Sequence, residues 1–261
     1  MLKIDLTESF PLLARAPIVE AVIEVVARAE VPWEEQAIKE RVKARLPDYP
    51  GILSGRAIQF AVEFPQSKEQ SLVQAPVATQ AAEEMGWRGL RCESADKHQI
   101  VQFIRDRYVF SRLAPYESWN RFRDEALRLW SLHMELAQPT EVQRLGLRFI
   151  NSIAIPGEGD LAEFLQAPPT PLLEMELTFT GFLHKDTLAV PGHPYVVNFI
   201  KTIQPAQGGE GAGLILDIDV FTTQPVGTDQ VAIERHLAEM RWLKNKIFFG
   251  SITPKAMETF K

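Results

Sequence analysis

The chain has 261 residues, of which 46% are hydrophobic and 24% are charged, and its formal net charge at pH 7 is −6. This composition is typical of a globular protein of one or two domains and excludes disordered, collagen-like and coiled-coil chains. A single cysteine, Cys92, excludes an internal disulfide, and the apolar runs are too short for a spanning helix, which needs roughly 20 residues. Because the first residues also lack a signal-peptide pattern, we expect a cytoplasmic protein with no membrane segment.

The first half of the chain is predicted to begin with a strand and a short helix. Residues 17–26 are rich in β-branched side chains and indicate a core strand on which Glu20 and Glu24 share one face. Helix-forming residues follow over 33–46, and Pro47 ends that helix. Three to five antiparallel strands are then predicted at 56–64, 71–77, 87–94, 99–104 and 108–113.

A long helix is predicted after Pro115, because apolar side chains recur there at helical spacing. Its inward positions are Trp119, Phe122, Ala126, Leu129, His133 and Leu136. His133 is interpreted as a core histidine whose ring bonds to a backbone or carboxylate group.

The second half is predicted to repeat this order. Residues 142–153 alternate along a strand with one apolar face and one basic face, which carries Arg144 and Arg148. A short helix is predicted at 160–166, and strands near 172–184, 195–203 and 214–222. A final long helix is predicted to be capped by Thr228 and stopped by Gly250.

These elements predict an α+β protein of two similar halves, residues 1–139 and 140–261. Each half has the order strand, helix, antiparallel strands, long helix, with the sheet backed by helices on one face. The halves form either two units or one continuous domain. The order resembles the saddle of TATA-binding proteins and suggests a duplicated architecture whose other sheet face is available for binding.

No motif identifies a chemistry, since the sequence contains no nucleotide-binding loop with lysine, His-Glu-x-x-His, paired Cys-x-x-Cys or Gly-x-Ser-x-Gly pattern. Asp217 and Asp219 point the same way from a strand and could hold a cation or form a solvated strand face. The side chains of His184, Asp186 and His193 could bind a transition metal, and the favoured alternative is a hairpin with ordinary polar tips. The glycine-rich stretch 207–213 precedes a strand, which favours a hairpin loop over a phosphate cradle. We therefore assign no catalytic residue, metal or cofactor.

Arginines form the most notable cluster. Between Arg88 and Arg148 eleven basic residues stand against eight acidic ones, although the whole chain is acidic. The candidates for an anion-binding groove are Arg88, Arg91, Arg107, Arg112, Arg144 and Arg148. The favoured alternative is a set of cross-strand ion pairs with acidic residues such as Glu20, Glu24 and Glu93.

Three segments carry a family resemblance: APIVEA at 16–21, LRFIN at 147–151 and WLKNKIFFGSIT at 242–253. Together they resemble a family of mostly bacterial proteins described as sporadically distributed. The resemblance spans nearly the whole chain and adds Asn151 to the candidate ligand-binding residues. The family usually has a basic residue after this asparagine, where this chain has Ser152. The resemblance implies no activity or cofactor.

The leading functional hypothesis is a non-enzymatic binding or assembly module, as a homo-oligomer or with a protein partner. One alternative is a nucleic-acid-binding protein that uses the arginine-lined sheet face, against which the overall acidity counts. Another is an enzyme for a small anionic molecule, with the arginines as an anion clamp and Glu20, Glu24, Asp217 or Asp219 as general base.

Overall fold

The computed structural model describes residues 2–55, 87–156, 160–170, 181–205 and 211–261. The strands in these ranges are β1 (Ile18–Ala29), β2 (Gly51–Gly55), β3 (Gly89–Glu93), β4 (Gln99–Ile104), β5 (Arg107–Leu113), β6 (Pro139–Ile155), β7 (Leu183–Ala189), β8 (Tyr195–Pro205) and β9 (Ala212–Thr222). The helices are α1 (Glu35–Arg45), α2 (Trp119–Ala137), α3 (Gln230–Ser251) and α4 (Pro254–Glu258), and a single 3-10 turn covers Leu161–Glu163.

The nine strands form one antiparallel sheet in the order β2-β3-β4-β5-β1-β6-β9-β8-β7. Strands of both halves of the chain therefore lie in the same sheet, joined by the pairing of β1 with β6. In that pair Ile23 lies opposite Leu147, and Glu24 lies opposite Gly146. Because side chains alternate along a strand, the register places apolar pairs on one face and polar ones on the other.

Both long helices pack on the apolar face. On the α2 side, the ring of Phe122 lies 5.5 Å from that of Phe110 on β5 and 5.9 Å from that of Phe149 on β6. Lys244 of α3 lies over the same Phe149 ring, with its Nζ 4.1 Å from the ring centroid. The sheet is thus backed by helices on one face, as the sequence predicts.

Several element predictions are confirmed and some need correction. The α+β class and the strands at 87–94, 99–104 and 108–113 are confirmed, while the strands predicted at 56–64 and 71–77 lie outside the described residues, as does most of the glycine-rich stretch. The helix predicted at 160–166 is only the 3-10 turn, because Leu165 and Gln166 instead pair with the backbone of Ser251 and Ile252.

Two predicted helix boundaries are also wrong. Asp229 rather than Thr228 caps α3, since its side chain accepts a hydrogen bond from the backbone N–H of Ala232. The helix continues through Gly250 to Ser251.

His133 lies in the core as predicted, at 0% exposure, but neither ring nitrogen has a hydrogen-bond partner among the described residues. In the described part of the chain, no helix is long and apolar enough to cross a membrane.

Candidate functional site

The predicted arginines do not gather on one surface. Arg107 of β5 and Arg144 and Arg148 of β6 lie on the sheet face opposite the helices, as does Arg91 of β3. Arg88 lies directly before β3, where its backbone N–H donates to the carbonyl of Gly55. We call the polar patch formed by Glu24, Arg107, Arg144, Arg148, Asp217 and Asp219 the charged face.

Arg148 is paired with a buried carboxylate. Its Nε and Nη2 atoms donate to the two carboxylate oxygens of Asp217 at 2.8 and 2.5 Å, and the Asp217 side chain is 2% exposed. Burial acts to lower the pKa of Arg148, but the contact with Asp217 outweighs it and the net change is upward. A second anion would have to displace this bidentate pair.

Arg144 bridges two acidic side chains from different strands. It donates to Glu24 on β1 and to Asp219 on β9, the latter at 3.1 Å. The absence of a side chain at Gly146 leaves space for the guanidinium group of Arg144, because a Cβ at this position would lie 2.7 Å from its Nη1 atom. Burial raises the pKa of Asp219 despite the nearby arginines.

The remaining charged pairs follow the same pattern. Arg107 lies 3.5 Å from Glu24, and Arg91 lies 2.7 Å from Glu93. The cross-strand interpretation therefore accounts for the geometry of these arginines. Within the described residues, no group of three or more His, Cys, Asp and Glu side chains is placed to hold a metal ion.

Two of the predicted residues lie on the helix-covered face instead. Arg112 is 7% exposed and donates to the carbonyl of Pro115 and to Glu117, so it holds the segment that leads into α2. Asn151 is 3% exposed, and its Nδ2 donates to the carbonyl of Leu216 at 3.0 Å. Asn151 lines a cavity on this face, and Arg112 contacts Glu117, which lines the same cavity.

That cavity has a volume of about 740 Å³ and lies on the helix side of the sheet. Its walls are the N-terminal segment 6–18, the start of α2, the middle of β6 and the face of α3 that turns toward them. All three segments of the family resemblance contribute: Pro17 from the first, Phe149 and Asn151 from the second, and Lys244 and Asn245 from the third.

The N-terminal segment is tied across the cavity by specific contacts. Glu8 accepts hydrogen bonds from Nε1 of Trp242 at 2.9 Å and from Nζ of Lys246 at 2.7 Å. The ring of Phe10 stacks on that of Phe249 with centroids 5.7 Å apart. A chain segment without regular secondary structure thereby becomes a wall of the cavity.

Two cations on α3 line the cavity, and each covers an aromatic ring. Nζ of Lys244 lies 4.1 Å from the ring centroid of Phe149, and Cζ of Arg241 lies 5.2 Å from that of Trp119. Among the described residues, neither cation has a carboxylate within salt-bridge distance. Glu8 and Glu117 also line the cavity, but they are paired with other basic side chains.

Lys244 and Tyr116 are half-buried and Arg241 is more exposed, and the packing around them shifts their pKa values. Burial, and then the charge of Arg241, lowers the pKa of Lys244 to about 7. Burial likewise lowers the pKa of Arg241 and raises that of Tyr116, which also lines the cavity. A cavity with two unpaired cations and a neutral phenol is suited to bind an anion.

Sequence reasoning missed Lys244 and Arg241, although a signal was present. Arg241 and Lys244 each follow directly after a buried position of α3, Met240 and Leu243, so both lie beside its apolar stripe. Basic residues beside an inward stripe indicate a polar pocket at the edge of the helix.

Comparison of the chain with protein-family models, curated protein sequences and solved structures finds no significant match.

Proposed function

We propose that the protein is a binding module that takes a small organic molecule into the cavity between its N-terminal segment, α2 and α3. The observation that carries this proposal is the cavity itself. Its volume of about 740 Å³ lies in the range typical of ligand sites. It also interrupts a face of the sheet that is otherwise packed as core.

Binding is favoured over catalysis by the state of the carboxylates on the wall. Glu8 is held by Trp242 and Lys246, and Glu117 is held by Arg112 and Arg121. A carboxylate that is engaged in ion pairs is a poor general base, because abstraction of a proton would break those pairs.

The ion pairs on the charged face count against the two alternatives that use its arginines. Arg148 and Arg144 already neutralise Asp217, Asp219 and Glu24. If nucleic acid binds to the charged face, its affinity should fall steeply as the salt concentration rises. Changing Arg144 and Arg148 to Glu should then abolish binding. Fluorescence anisotropy with random DNA and RNA measures both properties.

The strand order supports a further proposal, that the two halves are related by duplication. From the central pair the strands run β1-β5-β4-β3-β2 to one side and β6-β9-β8-β7 to the other. In each half, the strand that precedes the long helix lies beside the first strand. We also propose that the chain belongs to the sporadically distributed family, because the three segments that carry the resemblance all contribute to the cavity.

The test of the binding module is native mass spectrometry of gently purified protein, with and without prior exposure to a metabolite extract of the expression host. We expect excess mass that corresponds to one small molecule per chain. The variant Ala238→Phe places a ring in the cavity wall and should abolish the excess mass. Ala44→Phe, on the exposed side of α1, is the matched control and should retain it.

Two outcomes contradict the proposal: a wild-type protein that takes up no small molecule, or a ligand retained equally by the Ala238→Phe variant. The same spectra report the mass of the assembly. Self-association or a co-purified protein would support the assembly part of the hypothesis, independently of the cavity.

A further inference from the structure

We infer that the ligand is an organic anion with an apolar body, that Lys244 and Arg241 hold its negative group, and that its binding takes up a proton. This inference rests on the proposed function, since it specifies what the same cavity binds.

The first support is the placement of the two cations. Lys244 and Arg241 lie three positions apart on α3, a spacing that places like charges side by side and destabilises a helix. Each lies over an aromatic ring, and neither has a carboxylate partner among the described residues. A bound anion would offset the repulsion between these two cations, and this favours anion binding.

The second support is a set of polar groups that line the same cavity. Asn245 is 8% exposed, and its side chain makes no hydrogen bond to any described residue. Asn151 uses its Nδ2 for the carbonyl of Leu216, and its Oδ1 accepts no hydrogen bond within the described part of the chain. Ser118 caps the 19-residue helix α2, whose N-terminal end faces the cavity. The amide of Asn245 and the Oδ1 of Asn151 are therefore available for hydrogen bonds to a ligand.

The third support is the aromatic part of the cavity wall. Phe10 and Phe249 stack with their ring centroids 5.7 Å apart, and Phe248 meets Phe249 edge-on at 5.2 Å. Aromatic walls favour an apolar or aromatic ligand body. A ligand that contacts both the cations and these rings therefore has one negative group and one apolar part.

Proton uptake follows from the surroundings of Lys244. The titratable groups that line the cavity with it are Arg241 on α3, Tyr116 and Glu117 before α2, and Glu8 in the N-terminal segment. Both carboxylates are paired elsewhere, so neither supplies Lys244 with a counter-charge. With the pKa of Lys244 lowered to about 7, part of the free protein carries a neutral amine near neutral pH. An anion favours the charged amine, so binding draws a proton from solvent and weakens as the pH rises.

The experiment uses two probes that share an aromatic body: 8-anilino-1-naphthalenesulfonate, which is an anion, and N-phenyl-1-naphthylamine, which is neutral. Each is titrated into the full-length protein at pH 6 and pH 8.5 and followed by fluorescence. We expect the anionic probe to bind more tightly than the neutral one. Its affinity should fall by about sevenfold between these pH values, because the protonated fraction of Lys244 declines around a pKa of about 7 and the neutral amine binds an anion about tenfold more weakly.

Lys244→Met should remove this pH dependence. It should also lower the affinity for the anionic probe at pH 6 by on the order of tenfold, the effect of one lost charge contact. Lys39→Met, on the exposed side of α1, is the matched control and should behave as the wild type. Arg241→Met should weaken the anionic probe at both pH values, with Arg235→Met, at an exposed position of the same helix, as its control.

The outcomes separate the two proposals. Equal, pH-independent binding of both probes, abolished by Ala238→Phe, would overturn the anion inference and leave the cavity as a binding site. Failure of both probes to bind would contradict both proposals. Binding of the anionic probe that is unchanged in Lys244→Met and in Ala238→Phe would place the probe elsewhere and overturn the inference.

Discussion

Replacement of His133 by Phe should remove a large part of the acid sensitivity of this protein. The imidazole lies at 0% exposure on α2, with its ring 5.3 Å from that of Trp130 and 6.2 Å from that of Phe103. No described residue bonds to either ring nitrogen. Burial lowers the pKa of His133 from 6.5 to about 3, because a charged ring would have no compensating partner there.

The direction of the effect follows from proton binding in the two states. Below pH 6.5 the unfolded chain protonates His133, whereas the folded protein excludes that proton until the pH approaches 3. Stability is therefore lost as the pH falls through this window. Between pH 7 and pH 5 the loss due to this one residue is about 2 kcal/mol.

The assay is urea unfolding followed by circular dichroism at pH 5, 6 and 7. The quantity of interest is the change in unfolding free energy between pH 7 and pH 5, which should be about 2 kcal/mol smaller for His133→Phe than for the wild type. Carboxylates contribute to the pH dependence of both proteins and cancel in this difference. Ala44→Phe, on the exposed side of α1, adds a ring without removing a titratable group and should retain the wild-type slope. Parallel pH profiles for wild type and His133→Phe would refute the reasoning.

Two further substitutions test the sheet. Arg148→Met leaves Asp217 buried and unpaired and should lower the unfolding free energy by about 3 kcal/mol or more. The double variant Arg148→Met, Asp217→Leu should recover most of that loss. A small loss in the single variant would show that the pair is not buried in solution. Gly89→Ala would bring a Cβ within 2.2 Å of the carbonyl oxygen of Phe103 and should lower the melting temperature strongly, a result checked by calorimetry and contradicted by an unchanged value.

Local periodicity explains why much of the fold could be predicted. The stripe on α2 from Trp119 to Leu136 is buried throughout because helical geometry alone decides which of its side chains share a face. Alternation along β6 likewise places Leu147 inward and Arg148 outward without knowledge of the neighbouring strands. The α+β class and the single helix-covered face follow from such patterns.

The tertiary structure was needed to decide which residue each arginine contacts. Arg112 and Arg148 look alike in sequence, yet Arg112 holds the carbonyl of Pro115 on the covered face, and Arg148 meets Asp217 across the strands. Strand order and register decide this, because they determine which residues from distant parts of the chain lie opposite each other.

The cavity likewise could not be predicted from the sequence, because it is formed only when distant segments pack together. Its walls come from residues 6–18, the start of α2, β6 and α3, which are far apart in the chain. The sequence by itself determines the apolar stripe of α3, beside which Lys244 lies. Enclosure by Phe149, Asn151 and the N-terminal segment makes that lysine a poorly solvated amine with a lowered pKa, since desolvation depends on every group packed around it.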